Sequence, residues 1–379
     1  MPKTAMRKTF KYKLQPTPAQ AAQLAATVRV CRELYNAAIQ ERRDAWKMCH
    51  VSMNYYQQKS QLPEIRHQRA DCAAIHSQVL QDVVLRVHRT FQAFFRRVAN
   101  GEKPGYPRFK GRSRYHSFTY PQWGKGASLV GNRLLLSKIG HLTVHWSRPL
   151  EGTPKTVTII EEADGWYVCF SCAEVSVQPL PVTGQETGID LGLESFVTLA
   201  NGEQVANPRY YRKVEQALAK AQRRKDRRKK GSKRRRKAVL LLRKKHQKVA
   251  RQRRDFHHKT ARALLTQYDT IYFESLQVAS LAQNLHLAKS IYDAGWSQFC
   301  AILTFKAENA GKRAIAVPPA YTSQVCAGCG VLVQKGLSVR WHDCPDCGAS
   351  LHRDHNAALN ILRVGQARQG AAANAPAMN

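Results

Sequence analysis

The chain opens on an alternation. Over residues 8–14 the apolar Phe10, Tyr12 and Leu14 are separated by basic residues, the period-two pattern of a strand with one buried face. Pro16 and Pro18 end that pattern, and Thr17 is placed to cap a helix beginning Pro18-Ala19-Gln20. From there to about Asn100 the apolar positions advance in steps of three and four, which predicts helices. Ala25, Val28, Cys31, Leu34, Tyr35 and Ala38 mark the first; Val84, Val87, Phe91, Phe94 and Phe95 mark a later one starting near Ser77. Residues 101–111 carry the Gly and Pro of a turn. Short strand patterns follow at 117–120, 133–137, 142–146, 156–161 and 166–173, as in a small antiparallel barrel. The strand at 8–14 would complete that barrel, which makes the helical segment an insertion within it.

The pattern changes around residues 179–184. A strand at 187–191 and a hairpin at 195–205 lead into a long basic helical stretch. A strand at 270–274, a helix at 293–311, a strand at 313–317, a cysteine-rich insert and a last helix from Asp354 complete the order. Residues 366–379, rich in Ala, Gly, Asn and Gln, are expected to be disordered.

Composition narrows the partners. The 379 residues suffice for two or three domains at ~150 each, and 43% hydrophobic residues allow packed cores. Sixty-one Lys and Arg against 26 Asp and Glu leave a net charge of +35. A folded chain so basic repels itself until a polyanion neutralises it, and nucleic acid is the default. The sequence contains no apolar run near the ~20 residues of a spanning helix, and its start lacks the apolar stretch of a secretory signal. A reducing intracellular compartment is expected, where ten cysteines read as metal ligands or buried thiols rather than disulfides.

Four of those cysteines form a pattern. Cys326-Ala-Gly-Cys329 and Cys344-Pro-Asp-Cys347 are two CxxC knuckles separated by 14 residues, a spacing that wraps one Zn²⁺ tetrahedrally. With four thiolates there is no open position, so the zinc is expected to be structural. Redox dithiols or free buried cysteines are the alternatives. Cys169 and Cys172 also read CxxC but lie in a predicted strand without a partner pair. Cys31, Cys49, Cys72 and Cys300 are isolated and read as core thiols.

Three acids stand out against the basic background. Asp190 sits in the apolar Gly188-Ile189-Asp190-Leu191-Gly192, Glu274 closes the apolar Ile271-Tyr272-Phe273, and Asp354 falls where the last helix begins. Singly, each has an ordinary explanation: a turn acid, a strand-end ion pair and a helix N-cap respectively. Together they match two-metal phosphodiester hydrolysis, in which carboxylates from distant chain points converge on two Mg²⁺ ions ~4 Å apart. Hard oxygen ligands suit Mg²⁺, whereas the soft thiolates suit zinc.

The order Gly-Ile-Asp-Leu-Gly, Phe-Glu, CxxC…CxxC and Arg-Asp-x-Asn-Ala-Ala resembles TnpB, the nuclease family of certain bacterial insertion sequences and relative of type V CRISPR effectors. Phe94-Phe95-Arg96, Gly105-Tyr106-Pro107-Arg108-Phe109-Lys110, Asp293-Ala294-Gly295-Trp296 and Thr322-Ser323-Gln324 extend the likeness over nearly the whole chain. The resemblance implies a multidomain α+β and α/β protein. An RNase H-like (RuvC) nuclease domain at 181–321 and 350–365 would carry a zinc ribbon inserted at 322–349. A wedge-like β-barrel at 1–14 and 106–180 would carry a helical recognition domain at 15–105. It further implies Asp190, Glu274 and Asp354 as catalytic acids on two Mg²⁺, and Cys326, Cys329, Cys344 and Cys347 on one Zn²⁺. Partners would be a noncoding guide RNA from the transposon end and target double-stranded DNA. The protein would be monomeric with RNA and located in the cytoplasm at the nucleoid. It would read only a short flanking motif beside the target. One position departs from the family: His352 stands where an acid is common.

Between Lys220 and Arg254 lie 20 Lys or Arg and one acid, Asp226. Apolar residues 239–242 and Val249 interrupt the charge, so helices with an apolar edge are expected rather than a free tail. Such runs are usually solvated faces or localisation signals. Within a nuclease domain, Arg223, Arg224, Arg227, Arg228, Arg234, Arg235, Lys244 and Lys245 are candidates to hold phosphates. Ser77, Gln78 and Gln81 share one side of an otherwise apolar helix, and Gln reads adenine edges; in the family this helix approaches the flanking motif, and a plain solvent face is the alternative. Tyr115, Phe118 and Tyr120 read as barrel core rather than stacking platforms. A nuclease-silent RNA-guided repressor, a guide-free zinc-ribbon transposition factor and a strand-transferring transposase are the competing functions.

Overall fold

The computed structural model describes residues 5–336 and 339–373, and these fall into two compact units, Ala5–Ser176 and the chain from Val177 onward. In the first unit, strand β1 (Ala5–Gln15) precedes helices α1 (Pro18–Cys49), α2 (Tyr55–Ser60), α3 (Leu62–Gln68), α4 (Ala70–Ala73) and α5 (Ser77–Ala99). Thr17 starts α1 as a capping box, its hydroxyl accepting from Gln20 N at 3.3 Å while its own N–H donates to the Gln20 amide oxygen. The strands β2 (Ser117–Tyr120), β3 (Ala127–Val130), β4 (Arg133–Leu136), β5 (Gly140–His145), β6 (Thr153–Glu162) and β7 (Gly165–Ser176) follow.

These strands form one antiparallel sheet in the order β2-β6-β7-β1-β5-β4-β3, with β1 at its centre between β7 and β5. The alternation read from the sequence places Phe10, Tyr12 and Leu14 inward, each 2% exposed or less. They join Phe118, Tyr120, Val168 and Phe170 and the inner faces of α1 and α5 in one core. Tyr115, Phe118 and Tyr120 are core residues. The strand Ala127–Val130 has no counterpart in the sequence reading, because its Ser and Gly neighbours mask a four-residue pattern. Cys49 corrects another expectation. It lies exposed at the end of α1, beyond the apolar stripe, whereas Cys31 and Cys72 are buried and Cys300 is half-buried.

The second unit is built on β8 (Glu186–Asp190), β9 (Ser195–Leu199), β10 (Gln204–Ala206), helices α6 (Tyr210–Asp226) and α7 (Lys233–Gln267), and β11 (Thr270–Glu274). Helices α8 (Val278–Leu281), α9 (Leu285–Ala294) and α10 (Trp296–Asn309), strands β12 (Arg313–Val317), β13 (Trp341–Asp343) and β14 (Ser350–His352), and helix α11 (Arg353–Ala373) complete it. The sheet order is β10-β9-β8-β11-β12, antiparallel among the first three and parallel from β8 to β12. Ile271 and Phe273 pack one face against α7, α9 and α10, while Tyr272 turns to the other face and α11, as strand alternation requires.

Gly188 makes the second packing possible: a Cβ there would collide with the backbone of Ala358 and Leu362 on α11. The helix expected at 293–311 is two helices joined at Gly295, whose φ of +67° ends α9. Asp293 accepts from Tyr211 N at 2.9 Å and so holds the start of α6. The tail expectation is also corrected. Residues 366–373 continue α11, because Gly365 lets the helix lie against the Tyr272 ring and the following Ala-rich stretch favours helix. Residues 374–379 of that expectation lie outside the described residues. Among the described residues, no helix is long and apolar enough to cross a membrane.

Candidate nuclease and metal sites

Asp190 and Glu274 end adjacent parallel strands. The register Phe273–Ile189 runs into both acids, so they stand side by side at the C-terminal edge of the sheet. The third acid, Asp354, lies in the first turn of α11, which packs across β8, where the helix N-terminus favours an anion. Burial foremost, then the negative charges of Glu274 and Asp354, push the Asp190 carboxyl well above its ordinary range. Burial raises Glu274 as well, against a hydrogen bond from Thr322. The structure thus groups three acids from chain positions 190, 274 and 354. They are more widely set than the thiol cluster: among the described residues, only the four cysteines bring three or more ligand atoms within 4.8 Å of one another. Carboxylates such as Asp190 and Glu274, whose ionisation burial opposes, suit cations seated beside them.

His352, at the end of β14, accepts from Asp354 N at 3.3 Å, and its Nδ1 is 4.0 Å from the Asp354 carboxylate. Arg353 donates to Gly336 O and to the Ser323 hydroxyl and lowers Asp190 against the other influences.

The four cysteines come from two tight turns. Gly330 N donates to Cys326 O, and Gly348 N to Cys344 O. The second knuckle is held between β13 and β14, which pair from Trp341–His352 to Asp343–Ser350. The sulfurs of Cys326 and Cys347 are 3.6 Å apart, and those of Cys329 and Cys344 3.5 Å. A tetrahedron with Zn–S bonds of ~2.3 Å has edges of about 3.8 Å, so the donor set fits zinc. Although burial raises the Cys326 thiol, the N–H of Cys329 and its other donors outweigh that and bring it down to about 5. Against the lowering backbone N–H groups of Val331 and Ala349, hydrogen bonds with the neighbouring sulfurs raise the Cys329 and Cys347 thiols.

Three residues outside the expected site tie the two centres together. Asn356 and Asn360, one helical turn apart on α11, are both buried. Asn356 accepts from Ala327 N at 2.9 Å and donates to Val325 O at 2.8 Å; Asn360 donates to Thr322 O at 2.9 Å. Thr322 in turn donates from its hydroxyl to Glu274. A polar i,i+4 pair on a face otherwise made of Ala357, Ala358 and Ile361 was the available signal.

The basic stretch forms the helical hairpin α6–α7, closed by Leu218, Ala221 and Leu242. Arg223, Arg224, Arg227, Arg234 and Lys244 are exposed, while Arg228 and Lys245 are half-buried. Arg235 turns one guanidinium nitrogen back on its own chain: its Nη1 donates to Lys225 O at 3.0 Å and Arg228 O at 2.9 Å, closing the end of α6. In the first unit Ser77, Gln78 and Gln81 are half-buried on α5, and Gln78 donates to Gln122 at 2.6 Å.

Comparison with known proteins places this arrangement. A family model described as "Probable transposase" matches residues 170–285, which hold Asp190 and Glu274. A "Cas12f1-like, TNB domain" model matches 296–361, which hold the four cysteines and Asp354, and a helix-turn-helix model matches 6–49. A Streptomyces pristinaespiralis protein described as "Putative RNA-guided DNA endonuclease" is 35% identical over 371 residues, covering 96% of this chain and 90% of that protein. "Putative RNA-guided DNA endonuclease InsQ" of Escherichia coli (strain K12) is 28% identical over 376 residues, covering 94% and 92%. The Cas12f1 protein, solved by cryo-EM in a complex with sgRNA and target DNA, has the same fold at a TM-score of 0.55, with 13% identity over 95% of this chain and 99% of that one. A relative this similar over nine-tenths of its length, joined to the matching domain models, means that the chain belongs to the TnpB family of insertion-sequence proteins.

Proposed function

We propose that this protein is a magnesium-dependent, RNA-guided DNA endonuclease of an insertion sequence. The observation that carries the reading is the grouping of Asp190, Glu274 and Asp354 at one sheet edge in a chain of net charge +35. In this reading residues 181–321 and 350–365 are the RuvC domain and 322–349 its zinc ribbon. The first unit comprises a wedge barrel and a helical recognition domain. Its partners are a transposon-end guide RNA and target DNA, as the names of its relatives support.

The three carboxylates would hold two Mg²⁺ ions. When bound, such ions activate water and neutralise charge on the leaving oxygen. The protein's own part is preparation. The raised carboxyl groups at Asp190 and Glu274 hold protons that cation binding would displace, so affinity would fall at acid pH. Thr322 fixes the Glu274 carboxylate, and the exposed arginines of α6 and α7 hold phosphates without reading sequence. The four cysteines would hold a zinc ion, which would brace the two knuckles rather than take part in cutting.

The test is to express the protein with its native downstream DNA, sequence the copurifying RNA, and assay a plasmid bearing the guide's complement in Mg²⁺. A single scaffold RNA with a guide-like end and cutting that Asp190→Ala abolishes is the expected result. Random cellular RNA would favour the guide-free transposition factor. Binding without cutting would favour the repressor, and joined rather than broken DNA the transposase.

A further inference from the structure

Gly105-Tyr106-Pro107-Arg108-Phe109-Lys110 has no part in the acid or zinc sites, yet the first unit holds it firmly. Asn36 on α1 clamps the Lys110 backbone twice, donating to its carbonyl at 3.1 Å and accepting from its N–H at 2.8 Å. Pro107 is buried, and the Lys110 ammonium sits 4.6 Å from the centre of the Tyr35 ring. Tyr106 meets the rings of Phe91 and Phe94 edge-on, with centroids 5.9 and 5.5 Å away. A loop fixed this way holds its side chains in place before any ligand arrives.

What it holds in place is unusual. Between this loop and the C-terminal part of α1 lies a hollow of about 640 Å³, within the ~300–1,000 Å³ typical of ligand sites. Three large rings border it while staying open to solvent: Trp46 is 57% exposed, and Tyr106 and Phe109 are each 45% exposed. Single exposed aromatics need no explanation, but these three share one hollow with Arg43, Lys47 and Arg108. No carboxylate is among the described residues that line it. Open ring faces beside cations match a ligand that carries both flat aromatic faces and negative charge. Nucleotides have both, and only unpaired ones offer their faces, since a duplex stacks them internally.

We propose that this hollow is a stacking site for one or two unpaired nucleotides of RNA, with Trp46 and Phe109 against the bases and Arg43, Lys47 and Arg108 beside the phosphates. That the strand is RNA rather than DNA rests on the proposed guide-RNA function. The stacking itself follows from the hollow.

The experiment uses the full chain, freed of nucleic acid. Fluorescence anisotropy across a salt series would follow a labelled 12-nucleotide oligo(U), a blunt RNA hairpin whose loop is a non-nucleotide linker, and oligo(dT). The double variant Trp46→Ala/Phe109→Ala should lose roughly 5- to 150-fold in oligo(U) affinity per base released, with its melting curve and hairpin binding unchanged. Arg43→Gln/Arg108→Gln should lower the salt slope for oligo(U) by about 1.4. Bromouridine photocrosslinks should fall on peptides containing Trp46 or residues 105–110. Oligo(U) affinity unchanged in the aromatic double variant, or crosslinks confined to residues 210–267, would overturn the site. An equal loss on the hairpin would overturn stacking, and a loss on oligo(dT) with oligo(U) affinity unchanged would overturn the assignment to RNA. The assay needs neither metal nor target, so it is separable from the nuclease reading. Loss of oligo(U) affinity in a chain that copurifies no guide would keep this site and remove the guide.

Discussion

Asp190→Asn should stabilise the metal-free protein while abolishing cutting. Strands β8 and β11 run in register into Asp190 and Glu274, and neighbouring strands lie about 4.8 Å apart. Two unit charges at about 5 Å and an effective dielectric of ~20 repel by about 3 kcal/mol. Asp190 is half-buried, so water and proton uptake relieve part of this, leaving about 1–2 kcal/mol for the substitution to recover. For a unit near 200 residues that is roughly 2–8 °C in melting temperature. The sign with pH follows from both acids being raised in the folded state. Their contribution to stability is fully present below the ordinary carboxylate range and is lost as pH rises through their folded values. The variant's advantage should therefore be near zero at pH ~4 and grow toward pH 8. Scanning calorimetry in EDTA reads it directly, and Mg²⁺ should raise the melting of the wild type more than that of the variant. A variant that melts below the wild type in EDTA at pH 8, or gains equally from Mg²⁺, would refute the argument that these acids form an electrostatically frustrated cation site.

Three further predictions test other parts. Cys344→Ser should take bound zinc, measured by plasma mass spectrometry, from one per chain to near none and lower thermal stability with it; full zinc content would remove the ribbon. Thr322→Val leaves Glu274 without its hydroxyl partner, a loss of about 1–3 kcal/mol. Cutting should fall about tenfold at low Mg²⁺ and recover at high Mg²⁺, with Thr322→Ser near wild type; identical Mg²⁺ titrations for all three would deny Thr322 a positioning role. Arg235→Ala should lower melting and leave the salt slope of RNA binding unchanged, because its guanidinium closes α6. Arg223→Gln with Arg224→Gln should do the opposite, reducing the slope by about 0.7–0.9 per arginine, and the reverse pattern would reassign these residues.

Local chemistry alone determined much of this protein. The alternation through Phe10, Tyr12 and Leu14 specifies a one-faced strand, and Thr17 with Gln20 specifies a helix start, since each depends on neighbours a few residues away. The paired CxxC spacing specifies the thiol cluster in the same way: each turn delivers two sulfurs by itself. The unease of acids in apolar strands was equally legible at Asp190 and Glu274. Their nearness to Asp354 was a matter of tertiary structure, because only the parallel pairing of β8 with β11 and the packing of α11 across Gly188 bring positions 190, 274 and 354 together. The same holds for Arg235, indistinguishable by type from its basic neighbours until the α6–α7 hairpin gives it carbonyls to close. It holds again for Asn356, Asn360 and Thr322, whose partners lie tens of residues away. Hydrogen-bond partners and charge neighbours are properties of proximity in space, and the sequence fixes proximity only along the chain.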